Sequence, residues 1–77
     1  MRIEILTKRS IDSVGLYENT ARALLELGLE AELKVNKDPR VLEKYKITCG
    51  PVLLINGIIR SQEKTLSVEK IKALLKR

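Results

Sequence analysis

The apolar positions of this chain come in short stretches separated by polar breaks, and their period changes from one stretch to the next. Arg2 to Thr7 places Ile3 and Ile5 on one side and Glu4 and Leu6 on the other, the two-residue period of a strand covered well on one face and partly on the other. The polar break Lys8 to Ser13 follows, where Ser10 or Asp12 offers an oxygen to the first free amides of a helix that stops at Gly28. Wound at ~100° per residue, Val14, Tyr17, Ala21, Leu24 and Leu25 form one stripe of that helix and Leu16, Ala23 and Leu27 an adjoining one; Glu18, Asn19, Arg22 and Glu26 lie opposite. So wide an apolar face belongs to a helix lying between a sheet and another element, or to one that leaves Leu16 and Leu27 open to a partner; burial is the expectation.

Leu29 to Asn36 alternates again, with Ala31, Leu33 and Val35 inward and Glu30, Glu32 and Lys34 outward, as an edge strand protected by charge should read. Asp38-Pro39 is a helix cap followed by a proline at the first helical position, so a short helix runs through Val41, Leu42 and Tyr45 and closes at Ile47. After Gly50-Pro51, the run Val52-Leu53-Leu54-Ile55 fits a strand covered on both faces. Asn56-Gly57 is then a two-residue hairpin signal, with Ile58 to Arg60 returning antiparallel. Ser67 caps a last helix with Glu69 in its first turn and Val68, Ile71, Leu74 and Leu75 as its buried stripe. The order βαβαββα predicts an α/β fold: a four-stranded mixed sheet with three helices. A right-handed crossover makes the first two strands parallel neighbours, and the most apolar strand lies inside the sheet.

Composition narrows the picture. Seventy-seven residues make one compact domain, 1–77, and 44% hydrophobic with 32% charged residues is the balance of a chain that folds. Phe and Trp are absent, so the core is built from Leu, Ile and Val. The single cysteine, Cys49, cannot close an internal disulfide, and the lack of histidine removes the usual zinc sets and any His-based catalysis. The four-residue run Val52 to Ile55 is far short of a membrane span, and Met1 to Ile5 has no signal-peptide pattern, so a cytoplasmic location away from membranes is expected. The net charge of +5 is spread along the chain, with a cluster at Lys70, Lys72, Lys76 and Arg77 that reads as a solvated helix end complementing the helix dipole. The shortage of base-stacking aromatics argues against nucleic acid as the partner. Lys8 and Arg9 precede a helix start, where amides and cations can converge on an anion or simply remain solvated. With no Gly-rich phosphate loop, carboxylate pair or Ser/His/Asp set, nothing calls for a cofactor or a metal.

The helix segment Leu16-Tyr17-Glu18-Asn19-Thr20-Ala21-Arg22 and the run Pro51-Val52-Leu53-Leu54-Ile55-Asn56-Gly57 resemble the small archaeal and bacterial thioredoxin-like proteins, redox-active chains of glutaredoxin size. The resemblance spans nearly the whole chain. It implies a thioredoxin-like fold, a cis bond before Pro51 and a C-x-x-C at the start of the first helix. Those positions here read Ser10-Ile11-Asp12-Ser13. In a C-x-x-C, free amides and the helix dipole stabilise a thiolate below its ordinary pKa of ~8.5, and the second cysteine resolves the mixed disulfide. A serine hydroxyl stays un-ionised and forms no disulfide, so Ser10 and Ser13 cannot carry dithiol exchange.

Taken alone, the same serines also read as an ordinary cap and first turn, and a Cys-to-Ser form of an active thiol-disulfide oxidoreductase would read identically. By the resemblance, Cys49 lies beside the former dithiol site, flanked by Thr48 and Gly50. It is either a reactive thiol or a small buried hydrophobe. Gly50 either lets backbone come close or merely eases a turn. The expectation is a family member with no intact catalytic residues that binds a protein or peptide, or a small thiol, in the groove of Ser10, Ser13, Thr48, Gly50 and Pro51. The alternative is a monothiol oxidoreductase or redox sensor working through Cys49.

Overall fold

A computed structural model describes residues 1–48, 50–62 and 64–76. The elements are β1 (Arg2–Leu6), α1 (Val14–Leu27), β2 (Glu32–Asn36), α2 (Pro39–Lys44), β3 (Val52–Ile55), β4 (Ile58–Gln62) and α3 (Val68–Leu75), with a 3-10 turn over Ser10–Ser13 leading into α1. The four strands lie in the order β2-β1-β3-β4; β1 runs parallel to β2 and antiparallel to β3, which pairs antiparallel with β4. Order, strand directions and the inner place of β3 are as the sequence predicts.

Strand alternation splits the interior into two cores. Ile3 and Ile5, with their cross-strand partners Ile55 and Leu53, meet Leu16 and Leu24 of α1 and Ile71 and Leu75 of α3. Leu6, Val52 and Leu54 turn to the other face, where Leu42 of α2 and Ile47 cover them. All four residues of β3 are buried because both faces are covered, which is why it reads as a continuous apolar run. Asn56 and Gly57 both take positive φ, 53° and 82°, the two-residue turn whose twist suits a hairpin. β4 continues to Gln62, beyond the expected Arg60. β2 is an edge strand as expected, although it begins only at Glu32 and leaves Val35 exposed.

The first helix buries the stripe of Leu16 and Ala23 as expected, with Leu27 packed against the core, but turns most of the other stripe outward. Leu16, Thr20, Ala23 and Leu24 are buried, whereas Val14, Tyr17, Ala21 and Leu25 face solvent, Leu25 with 81% of its surface exposed. Periodicity locates two adjoining stripes but does not say which one meets the sheet. Here the buried face is completed by Thr20, whose hydroxyl donates to the Leu16 carbonyl at 2.7 Å and so enters the core satisfied. The expected cap is also absent: neither Ser10 nor Asp12 caps α1, because Asp12 pairs with Arg9 and the α-helix proper begins only after the 3-10 turn. The other caps form as read. Asp38 accepts from the Arg40 amide at 2.9 Å and Ser67 from the Lys70 amide at 3.2 Å.

Two helices end in the same way with different residues. At the end of α1, Gly28 takes φ 65°, and the amides of Gly28 and Leu29 bond back to Leu25 and Leu24. Past α2, Lys46 takes φ 57°, and the amides of Lys46 and Ile47 bond back to Glu43 and Leu42 at 3.0 and 2.9 Å. The left-handed conformation costs a residue with a Cβ about 1–2 kcal/mol, which the packing of Ile47 with Leu42 helps to offset.

The C-terminal cations are not merely a solvated end. Lys72 donates to Glu26 of α1 at 3.0 Å and to Glu69 at 3.4 Å, joining the two helices, while Asn19 donates to the Leu66 carbonyl at 2.8 Å. Arg77 lies outside the described residues. The hydrogen bond from Lys72 holds the Glu26 carboxyl below its ordinary pKa, and the same bond raises the Lys72 ammonium. A lowered carboxylate stabilises the fold above its unfolded pKa, an effect lost as pH falls through the folded value; a raised ammonium stabilises below its unfolded pKa, an effect lost as pH rises through the folded value. Lys72→Met should therefore be less stable than the parent chain at intermediate pH, with the gap closing at both acid and alkaline extremes. Urea unfolding across pH checks this, and a pH-independent gap would contradict it.

Candidate functional site

The site is organised around Thr7, the buried residue that follows β1. Its amide donates to the Asn36 carbonyl at the end of β2 at 3.2 Å, and its hydroxyl donates to the Arg9 carbonyl at 2.8 Å, fixing the start of the Ser10–Ser13 turn. On its other side lies Gly50. A Cβ at Gly50 would stand 3.0 Å from both the Cα and the Oγ1 of Thr7 and 3.3 Å from the Leu6 carbonyl oxygen. Of the two readings of this glycine, close approach is therefore the one observed. The Gly50-Pro51 bond is cis and Pro51 is buried. The turn bearing Ser10 and the loop bearing Pro51 thus rest on one threonine.

Within the turn the two serines differ. Ser10 is exposed; Ser13 retains 2% of its surface, and its hydroxyl donates to the Ser10 carbonyl at 2.8 Å. The Asp12 amide bonds to the Arg9 carbonyl at 3.1 Å, and Ile11 stands out at 74% exposure between the serines. No histidine exists in the chain to activate either hydroxyl. Arg9 reaches both carboxylate oxygens of Asp12, at 3.2 and 3.3 Å, and this bond raises its pKa further. Its donors are thereby directed to Asp12, while Lys8 turns to a different place.

That place is a groove of about 560 Å³ lined by Lys8, Lys37, Leu42, Lys46, Ile47 and Thr48. Sequence reasoning named Lys8 and Thr48 but not Lys37 or Lys46, because the lining joins Lys8 to the stretch 37–48 and carries no local motif. Thr7 was missed for a related reason: as a strand-end threonine it has nothing to mark it until Gly50 is packed against it. Thr48 is exposed beside the Gly50-Pro51 loop, and Cys49 lies outside the described residues. Among the described residues no three His, Cys, Asp or Glu side chains gather as a metal site, and no helix is long and apolar enough to cross a membrane.

The Thr7 and Gly50 contact can be tested directly. Gly50→Ala should lower stability by about 1–3 kcal/mol, since a methyl group must displace main chain. Thr7→Val, which keeps the shape and removes the hydroxyl, should lower it by about 1 kcal/mol. Urea denaturation measures both, and a neutral Gly50→Ala would contradict the close approach.

A family model described as a thioredoxin domain matches residues 1–76, from β1 through the end of α3. Searches of the curated proteins and of the solved structures find no match. A family match over essentially the whole fold places the chain in the thioredoxin domain family.

Proposed function

We propose that the protein acts by binding, holding an extended peptide or a thiol-bearing partner in the cleft between the Ser10–Ser13 turn and the Thr48 to Pro51 loop, without dithiol turnover. The observation that carries this reading is the state of the turn: Ser13 is buried with its hydroxyl spent on the Ser10 carbonyl, while Ser10 stands open to solvent. Thiol-disulfide exchange needs one thiolate to attack and a second thiol to release the mixed disulfide. A chain with a single cysteine lacks that internal pair. What remains is a surface in which Gly50 lies against a fixed threonine, between the exposed Thr48 and the buried Pro51, and beside which an extended peptide strand would be held. Cys49 is a neighbour in sequence rather than a required participant. In this reading the domain works in the cytoplasm, where a lone thiol stays reduced.

Two measurements test the reading. Insulin reduction by dithiothreitol should proceed at the reductant-only rate when the protein is added, and peptides selected from a random display library should shift the amide resonances of Ser10, Ser13, Thr48 and Gly50. Turnover above the control that disappears in Cys49→Ser would make the protein a monothiol enzyme. Turnover that persists in Cys49→Ser, or selected peptides that leave those resonances unmoved, would refute the proposal.

A further inference from the structure

The groove beside α2 has a position that the topology singles out. β1 and β2 are parallel neighbours whose register pairs Leu6 with Asn36, so their carboxyl ends lie side by side. From those ends the chain departs in opposite directions. β1 leads to α1, which packs with α3 over Ile3 and Ile5, whereas β2 leads to α2, which covers Leu6 and Leu54 on the other face. In open α/β sheets a crevice opens where successive connections diverge in this way, and ligands settle there. Lys8 and Lys37, the residues just beyond the two strand ends, both line the groove.

The lining also has a chemistry. Leu42 and Ile47 form an apolar floor, and Lys8, Lys37 and Lys46 are all exposed around it. Glu43 is the one acidic lining residue among the described residues, where no carboxylate lies within 4.0 Å of any of the three ammonium groups. The other lysines that meet carboxylates, Lys34 and Lys72, do so elsewhere. A volume of about 560 Å³ is that of a pocket able to take a side chain and its flanks. Thr48 joins the groove to the Gly50-Pro51 loop.

We infer that this groove is the specificity pocket of the binding site and that it takes an aliphatic side chain flanked by carboxylates, so that the partner is an acidic peptide segment. The inference rests on the peptide-binding function proposed above. Apolar burial on Leu42 and Ile47 supplies the anchor; the lysines select charge and draw the partner in, an effect that salt screens.

The experiment uses three short, end-blocked peptides of alternating Leu with Glu, Gln or Lys, titrated into the intact chain and followed by amide resonances. The Glu peptide should bind tightest, shift Lys8, Lys37 and Lys46 together with Thr48, and weaken as salt is raised. Lys46→Gly removes a cation at a left-handed position that glycine adopts freely, so it should fold at least as well as the parent while weakening the Glu peptide roughly two- to fivefold. Lys8→Gln and Lys37→Gln should act similarly. Equal affinity for all three peptides with shifts confined to Ser10, Ser13 and Gly50 would overturn the acidic specificity and leave peptide binding standing. Glu-peptide binding at the lysines with Ser10 and Ser13 unmoved would support the pocket and move the binding site away from the turn. Binding of none of the three would overturn the inference.

Discussion

Gly50 carries no side chain because Thr7 occupies the space one would need, and much of the candidate site follows from that contact. Thr7 is fully buried, yet its amide reaches the end of β2 and its hydroxyl holds the carbonyl at which the Ser10–Ser13 turn begins. A buried hydroxyl without a partner would cost about 1–3 kcal/mol, so the bond to Arg9 is what allows a polar residue at this junction. With Thr7 fixed, β1, β2, the turn and the Pro51 loop converge on one point.

The same point divides the fold. Beyond Thr7 the chain crosses to α1 and the larger core under α3; beyond Asn36 it crosses to α2 and the smaller one. Among the described residues the smaller core holds Leu6, Leu42, Ile47, Val52 and Leu54, with Val41, Tyr45 and Ile59 packed at its margin. Its helix is a short one, Pro39–Lys44, capped at one end by Asp38 and turned at the other by Lys46. A helix this short owes its place to capping and to the packing of Leu42 rather than to intrinsic propensity. Those restraints set the wall of the groove in which three lysines surround an apolar floor.

The sequence was legible wherever the signal was local. Alternation found β1 and β2, the continuous apolar run found β3, Asn56-Gly57 found the hairpin and with it β4, and Asp38-Pro39 and Ser67 found their caps. Gly28 announced the end of α1, but the identical closure at Lys46 went unseen, because a lysine does not advertise a left-handed conformation. The facing of α1 was illegible for a different reason. Its stripes overlap, and the one that packs is completed by Thr20, a polar residue whose hydroxyl is satisfied within the helix. Of the candidate site, Ser10, Ser13, Gly50 and Pro51 were readable through family resemblance. The groove lysines and Thr7 were not, since they acquire meaning only when segments distant in sequence meet.

On the proposed reading, the turn and loop retain the framework of a thioredoxin site and hydroxyls, not a lost geometry, remove its chemistry. The most direct measurement is to return sulfur to the turn by Ser10→Cys with Ser13→Cys in a Cys49→Ser background, then to assay disulfide formation and insulin reduction. The account predicts that mild oxidation closes a disulfide within the turn and that the reduced protein turns over insulin. Two thiols that stay unlinked under oxidant, or a disulfide that forms without supporting turnover, would contradict it.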